Sequence, residues 1–381
     1  MRTKILHIVP SVSAGGIESL VLSLLEAIDR DKYIFELAVF NPHYPIHQDR
    51  IEELGAKVHF IGDAGGGTSV WSKIGWRIRA ILNYSILIFT NKYDVLHCHN
   101  YSNFFLYVLL ATVRGIPVRI VHSHSGGAAR NTYSGLIMTK LRRKLAFTRL
   151  VTHRVGCSKV AANWIFGTVD RVKIIYNGID LDRFSINRML GKKRECREEG
   201  GKELVHIGRF SKQKNQLFML NIFREIANIE DGYNFSIMGY GDLEDRLRCR
   251  VRELNLDDRL TFLRFDADVP GVLKDMDGFV LPSLWEGLPI CAIEAQCAGV
   301  TTFLSDSVSK EVDIGMAQYI SLDRSPAFWA RYIVDTLNDG ASPRQADSSV
   351  LQSFDINWIV GQYEDIYGGF VLGADAGRRF D

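Results

Sequence analysis

The chain predicts an α/β protein built of two doubly wound parallel-sheet domains, and two observations carry that prediction. Strand-like apolar runs alternate with helical ones through both halves, and 381 residues suffice for two separate cores. In the first half KILHIVPSV precedes IESLVLSLLEAI, YIFELAVF precedes HQDRIEEL, and KVHFIG follows. YDVLHCH then leads into FFLYVLLATV, PVRIVHS into a basic helix, HRVGCS into KVAANWIF, and RVKIIYN closes the series. The second half repeats the scheme with ELVHIGRF, NQLFMLNIFREIA, NFSIMG, DLEDRLRCRVREL, LTFLRF, VPGVLKDM, GFVLPS, a helix carrying Glu294, and TTFLSD. Alternation at this spacing means parallel strands joined by crossover helices. The hydrophilic, aperiodic stretch from Ile186 to Lys202 is the expected connection, which sets domains at 1–185 and 186–353. The amphipathic segment INWIVGQYEDIYGGFV ends the fold, and the tail LGADAGRRFD has no pattern.

Composition is that of a soluble globular protein, 46% hydrophobic and 24% charged. The longest apolar run, Phe104 to Val113, falls far short of the ~20 residues of a membrane span. The opening MRTKILHIVPSVSAGG imitates a signal peptide, but its apolar run is brief and holds His7 and Pro10, so it reads as a first strand entering a glycine turn. Six scattered cysteines, without a Cys-x-x-Cys pair, are expected as thiols in a reducing, cytoplasmic compartment. The net charge of +2 conceals an uneven distribution, because no Asp or Glu occurs between Asp94 and Asp170, where ten Lys or Arg stand. Five of them lie in GLIMTKLRRKLAFTR, interleaved with Leu136, Ile137, Leu141, Leu145 and Phe147. Such a helix either lies on anionic lipid or packs its apolar stripe on its own core. No nucleic-acid motif accompanies the charge, so nucleic acid is not an expected partner.

The chemistry concentrates in PSLWEGLPICAIEAQCAG, from Pro282 to Gly299. Glu286 stands in the loop after a strand and Glu294 about two turns into the helix that begins near Pro289, with seven residues between them. At ~1.5 Å per residue the carboxylates are separated by up to about 12 Å along the axis. Between them the N–H groups of Gly287, Leu288 and Ile290 and the positive end of the helix dipole face whatever approaches. That arrangement suits a diphosphate flanked by hydroxyl-bearing sugars. Arg209 and Lys214, in GRFSKQKN, add two cations on a strand-to-helix loop, where open α/β sheets bind ligands. Gly239-Tyr240-Gly241 ends the next strand without the third glycine of a dinucleotide fingerprint, and Gly15-Gly16-Ile17-Glu18 is a tight turn into a helix after the first strand. His122 and His124 end the strand PVRIV in a loop rich in Ser and Gly.

Together these segments resemble the retaining glycosyltransferases of family 4, and the resemblance covers nearly the whole chain. GGIE, HSHS, GCS, IIYNGID, GRFSKQKN, GYGDLEDRL and PSLWEGLPICAIEAQCAG occur in the family's order. HSHS and NWIFG are similar to a subgroup that builds bacterial exopolysaccharide or capsule. The resemblance implies the GT-B fold, two Rossmann-like domains facing a central cleft, with a last helix, roughly 354–369, crossing back onto the first domain. It implies that Glu294 binds the donor's ribose, that Glu286 contacts the donor sugar, and that Arg209 and Lys214 hold the diphosphate with help from the Gly287 and Leu288 backbone and the Gly239 loop. Gly16 would close on the phosphates from the other domain, and His122, or His124 in its place, would touch the transferred sugar. A nucleotide-sugar donor, commonly a UDP-sugar in that subgroup, and a glycan or lipid-linked acceptor follow, in a peripheral position at the inner face of the membrane. No metal is expected; Asp180-Leu181-Asp182 and Asp266-Ala267-Asp268 imitate the Asp-x-Asp metal motif of a different glycosyltransferase fold. The rival readings are a nucleotide-sugar epimerase or sugar phosphorylase of similar architecture, and a non-catalytic sugar- or membrane-binding module.

Overall fold

The computed structural model of the chain describes residues 2–13, 15–41, 47–62, 70–99, 104–127, 133–184, 201–339 and 348–369. It divides into two compact units, Met1–Gly178 together with the helix beginning at Ile356, and Ile179–Asp355. The first division stands ahead of the boundary expected after residue 185. Most of the expected connection, as well as the C-terminal tail, lies outside the described residues.

Unit 1 is built on seven strands, β1 (Thr3–Ser11), β2 (Tyr33–Asn41), β3 (Lys57–Phe60), β4 (Val95–Cys98), β5 (Val118–Ser123), β6 (His153–Gly156) and β7 (Lys173–Ile174). All pair in parallel, in the order β3-β2-β1-β4-β5-β6-β7. Its helices are α1 (Gly16–Ala27), α2 (Gln48–Glu53), α3 (Val70–Thr90), α4 (Phe104–Arg114), α5 (Tyr133–Ala146) and α6 (Lys159–Phe166). Because strand side chains alternate in direction, β1 sends Ile5 and Val9 into one apolar layer, with Leu20 and Leu24 of α1, and Leu6 and Ile8 into another, with Tyr84 of α3 and Tyr107 of α4. Both sheet faces are therefore covered. The sequence pattern assigned no element between KVHFIG and YDVLHCH, and α3 occupies that interval.

Unit 2 opens with a short helix, α7 (Leu181–Phe184), and its sheet consists of β8 (Lys202–Ile207), β9 (Tyr233–Met238), β10 (Leu260–Leu263), β11 (Gly278–Leu281), β12 (Thr301–Ser305) and β13 (Ala317–Ile320). The order β10-β9-β8-β11-β12-β13 is again wholly parallel. Around it lie α8 (Gln216–Ile229), α9 (Glu244–Glu253), α10 (Val269–Leu273), α11 (Ile290–Cys297), α12 (Pro326–Asn338) and α13 (Ser348–Gln352). The α12 start is set by sequence: Ser325 accepts from the Phe328 N–H, and Pro326 fits the first turn. Trp329 of that helix joins Phe223, Phe235, Val280 and Phe303 in the core. The last helix, α14 (Ile356–Gly368), places Ile359, Tyr363 and Tyr367 in the core of unit 1. Among the described residues no helix is long and apolar enough to cross a membrane.

In each unit the strand order reverses once, between β1 and β4 and between β8 and β11. Helices leave such neighbouring strands on opposite faces, and the carboxyl ends open into a crevice. The residues singled out by the sequence gather at those ends.

Candidate functional site

In unit 2 the loops after β8 and β11 meet, the Leu284 N–H donating to the Gln213 carbonyl at 2.8 Å. Lys214, on a single 3-10 turn (Lys212–Lys214), places Nζ 2.7 Å from Oε1 of Glu286. The Ser283 hydroxyl donates to the same oxygen at 2.7 Å, and Gln213 Nε2 donates to Oε2 at 3.1 Å and to the Trp285 carbonyl at 2.9 Å. Glu286 is buried, so these donors replace the water it has lost. Burial by itself would lower the Lys214 pKa, but the Glu286 charge, aided by Cys291, outweighs it and the net direction is upward. Lys214 stays cationic. The two residues, assigned separately to the diphosphate and to the sugar, thus form one buried ion pair.

Arg209 is exposed at the end of β8, and a polar chain fixes its backbone. His206 donates from Nδ1 to the Val280 carbonyl at 2.9 Å, leaving Nε2 to accept from Gln216 at 3.2 Å; the same Gln216 amide donates to the Arg209 carbonyl at 2.8 Å. Burial lowers His206 to about 4, so it holds this position as a neutral ring. The 239–241 loop presses on the same segment. A Cβ on Gly239 would stand 2.1 Å from the Gly208 carbonyl oxygen and one on Gly241 2.5 Å from that of Phe210, so only glycine fits either place.

The α11 helix begins at Ile290 with Pro289 as its cap residue, and Gly287 and Leu288 are buried in the loop before it. Glu294 is half-buried on α11, the helix that packs against α7. Burial pushes its carboxyl up to about 7, against the opposing influence of Arg183. Burial likewise pushes Cys291 and Cys297 up to about 12, too high for a thiolate nucleophile at neutral pH. The two acid-x-acid segments have structural work: Asp268 caps α10 and pairs with Arg183, Asp180 accepts from the Arg183 N–H, and Asp266 pairs with Arg264.

In unit 1 Ser11 ends β1, Ser13 stands in the turn that follows and Glu18 lies in the first turn of α1; Ser11 donates to the Glu18 carboxylate and bonds Ser13 at 2.6 Å. Gly16 is the exposed first residue of α1. Five histidines, His7, His97, His99, His122 and His124, lie close together along β1, β4 and β5 and just beyond their ends. The i,i+2 spacing within His97-Cys98-His99 and His122-Ser123-His124 directs each pair to one face, and parallel pairing of β4 with β5 brings the pairs together.

These rings bond to one another. His7 Nδ1 meets His99 Nε2 at 3.1 Å, and His99 Nδ1 meets His124 Nε2 at 2.8 Å. His97 bridges the Tyr367 hydroxyl at 2.8 Å and His122 Nδ1 at 3.2 Å, and the Tyr363 hydroxyl lies 3.3 Å from His122 Nδ1. Burial lowers all five pKa values, and neighbouring rings add to the effect on His97, His99 and His122. The stack is neutral at neutral pH. Within it His7, His97 and His99, and also His99, His122 and His124, bring ring nitrogens within 4.8 Å, the density a metal ion needs, although most of those nitrogens already bond one another. His122 is only 1% exposed, with no partner on Nε2; His124 is the more accessible of the two expected at the sugar.

The sequence reading passed over His97 and His99, although their H-x-H spacing repeats that of His122 and His124. In α5, the helix considered for lipid, Leu136 and Ile137 fall outside the described side chains, and Arg143 turns inward to donate to the Asn163 and Trp164 carbonyls.

Comparison with known proteins places these sites in context. Residues 14–183 match the family described as Glycosyltransferase Family 4, and residues 191–348 match Glycosyl transferases group 1. The chain is 29% identical over 317 residues, 77% of its length and 80% of the relative's, to the Escherichia coli UDP-Gal:alpha-D-GlcNAc-diphosphoundecaprenol alpha-1,3-galactosyltransferase. It is 22% identical, over 96% of this chain and 98% of the other, to the capsular polysaccharide biosynthesis glycosyltransferase CapH of Staphylococcus aureus. Its fold is similar to that of Anabaena HepE, crystallised with UDP and glucose, at a TM-score of 0.76 and 17% identity over 96% of this chain and 100% of that one.

Proposed function

We propose, for a chain that belongs to the GT-B glycosyltransferases of polysaccharide biosynthesis, that it transfers a hexosyl group with retention from a UDP-sugar to a lipid-linked glycan at the inner face of the cell membrane. The observation that carries this reading is the buried Lys214–Glu286 pair, fixed by Ser283 and Gln213 at the switch point of a Rossmann-like sheet, with Glu294 on the following helix. The E. coli relative's name, with a UDP-sugar donor and a diphosphoundecaprenol acceptor, supports the donor and acceptor classes.

In this reading Glu294 accepts hydrogen bonds from the ribose hydroxyls. Its raised pKa leaves it partly protonated near neutrality, and ribose donors favour the ionised form, so nucleotide binding expels a proton. Arg209, exposed and aimed by the His206–Gln216 chain, forks onto the diphosphate, and Lys214 shares its charge between phosphate and Glu286. Glu286, held by its three donors, accepts from hydroxyls of the sugar, while the Gly287 and Leu288 backbone and the Gly239 loop support the phosphates.

The bond between the anomeric carbon and the β-phosphate oxygen breaks as the acceptor oxygen bonds to the same face of that carbon. The acceptor proton passes to the departing phosphate oxygen, whose growing charge Arg209 and Lys214 stabilise, so no metal is needed at the diphosphate.

The test is thermal shift and diphosphate release with UDP-, GDP- and ADP-sugars in EDTA, for the native chain and Glu294→Ala. Stabilisation and slow hydrolysis with one nucleotide class, both lost in the variant, are expected. Failure of every nucleotide sugar to bind, or a product that keeps its nucleotide, would sink the reading.

A further inference from the structure

On the histidine rings of unit 1, three nitrogens are buried with no hydrogen-bond partner among the described residues: His7 Nε2, His122 Nε2 and His124 Nδ1. A stack that served only to pack would be better built from phenylalanine, because a buried, unpartnered nitrogen loses its hydration and gains nothing in return. A change of tautomer does not remove the deficit. His99 bonds His7 on one side and His124 on the other, so a neutral His99 donates to one and accepts from the other. Whichever way it points, one end of that row keeps an unshared N–H and the other an unshared lone pair.

We propose that His99, His122 and His124 form a binding site for a divalent transition metal of the zinc class, with the fourth position left to solvent. Each of the three offers a ring nitrogen within 4.8 Å of the others. His99 Nδ1 and His124 Nε2 face each other at 2.8 Å. A cation in place of their shared proton needs about 3.3 Å between them, given tetrahedral geometry and bonds of about 2.0–2.1 Å. His124 is free to give that room: it is the most accessible of the five and stands just past the end of β5 at Ser123. The other two ligands are held from behind. His122 Nδ1 faces His97 Nε2 at 3.2 Å and the Tyr363 hydroxyl at 3.3 Å, which leaves Nε2 to ligate, and His99 Nε2 faces His7 Nδ1 at 3.1 Å. His97 is in turn fixed by the Tyr367 hydroxyl at 2.8 Å. Outer partners of this kind set the tautomer and orientation of a metal-bound imidazole. A set of imidazoles without a carboxylate selects a zinc-class ion over magnesium or calcium, which take oxygen ligands. The other close trio, His7, His97 and His99, is wholly buried and offers a hydrated ion no side open to water.

The full chain, free of any histidine tag and stripped with EDTA, is titrated by calorimetry with Zn²⁺ and with Mg²⁺, and with Co²⁺ followed by visible absorption. A single Zn²⁺ should bind with a Kd on the order of micromolar or tighter, and Mg²⁺ should not bind. Co²⁺ should give the intense visible bands of tetrahedral coordination, a reading that stands even where a variant fails to fold. His124→Ala should weaken Zn²⁺ binding roughly a hundredfold, and Tyr363→Phe, which loosens His122, about tenfold. His153→Gln, outside the cluster, should bind as the native chain does. Thermal unfolding in EDTA separates a lost ligand from a lost fold, and added Zn²⁺ should raise the midpoint of the native chain but not that of His124→Ala. Donor hydrolysis measured in EDTA reads the transferase with the metal removed, so the two readings fail separately. The proposal is overturned if the native chain binds no Zn²⁺ in that range, if Co²⁺ gives only the pale spectrum of octahedral coordination, or if His124→Ala, folded in EDTA, binds Zn²⁺ as tightly as the native chain.

Discussion

The two units solve the same problem, polar groups at the carboxyl ends of a buried parallel sheet, in opposite ways. Unit 1 uses neutral rings, five histidines whose pKa values burial drives down, bonded to one another and to Tyr363 and Tyr367. Unit 2 keeps charge, an ion pair between Lys214 and Glu286 and a carboxyl, Glu294, poised near neutrality. The difference teaches which unit can answer a charged ligand: a stack of uncharged rings offers a diphosphate little attraction, whereas a retained ammonium beside an exposed arginine offers much.

The largest effect expected is from Lys214→Met, which leaves Glu286 buried without its cation. Removing one partner of a buried pair costs about 3–5 kcal/mol, and urea unfolding should show a loss of that order together with at least a hundredfold fall in kcat/KM for donor hydrolysis. Pairing it with Glu286→Gln should restore much of the stability and none of the activity. If the single variant is as stable as the native chain, the pair is not buried in solution and the contrast between the units fails.

Glu294→Gln comes next. A hydrogen bond to a charged group contributes about 1.5–3 kcal/mol, so UDP affinity by calorimetry should fall roughly ten- to a hundredfold. The pH dependence sharpens the point. A carboxyl raised from its ordinary 4.5 to about 7 gives its share of ligand-free stability below pH 4.5, and that share declines as pH rises toward 7 and is absent above it. Nucleotide affinity should run the other way, rising through pH 7 with proton release. Both slopes should flatten in the variant; a native affinity independent of pH between 6 and 8 would count against the ribose assignment.

His97→Leu tests the neutral side. It strips the Tyr367 hydroxyl and His122 Nδ1 of a buried partner, at a cost of about 1–3 kcal/mol in urea unfolding, with UDP affinity unchanged. A large loss of UDP affinity would show that the units do not divide the work as described. Smallest in stability is Arg209→Ala, exposed and expected within about 0.5 kcal/mol of the native chain, yet at least tenfold slower in diphosphate release. Unchanged kinetics there would remove Arg209 from the site.

Much of this was legible in the residues. Alternation of strand and helix runs identified two parallel sheets because buried parallel strands are continuously apolar and their crossovers must be helices. Glu286 and Glu294 stood out because helix rise converts their separation in sequence into a distance. The helix α3 escaped because apolar residues on two faces blur the single stripe by which a helix is recognised. The strand β13 and the helix α12 also went unassigned, although Ser325-Pro326 carried a helix-start signal.

Local physics was therefore enough to determine most of the strands and helices, where the loops carry glycine, and the acids and bases of unit 2 that stand at strand ends. Only the tertiary structure decided who meets whom. Lys214 and Glu286 are far apart along the chain and touch because β8 and β11 are neighbours at the switch point. His97 and Tyr367, still farther apart, touch because the last helix packs on the sheet of unit 1. The spacing of residues along one element follows from its own dihedral angles, but partnership across elements depends on strand order, and strand order is set by burying both faces of the whole sheet at once.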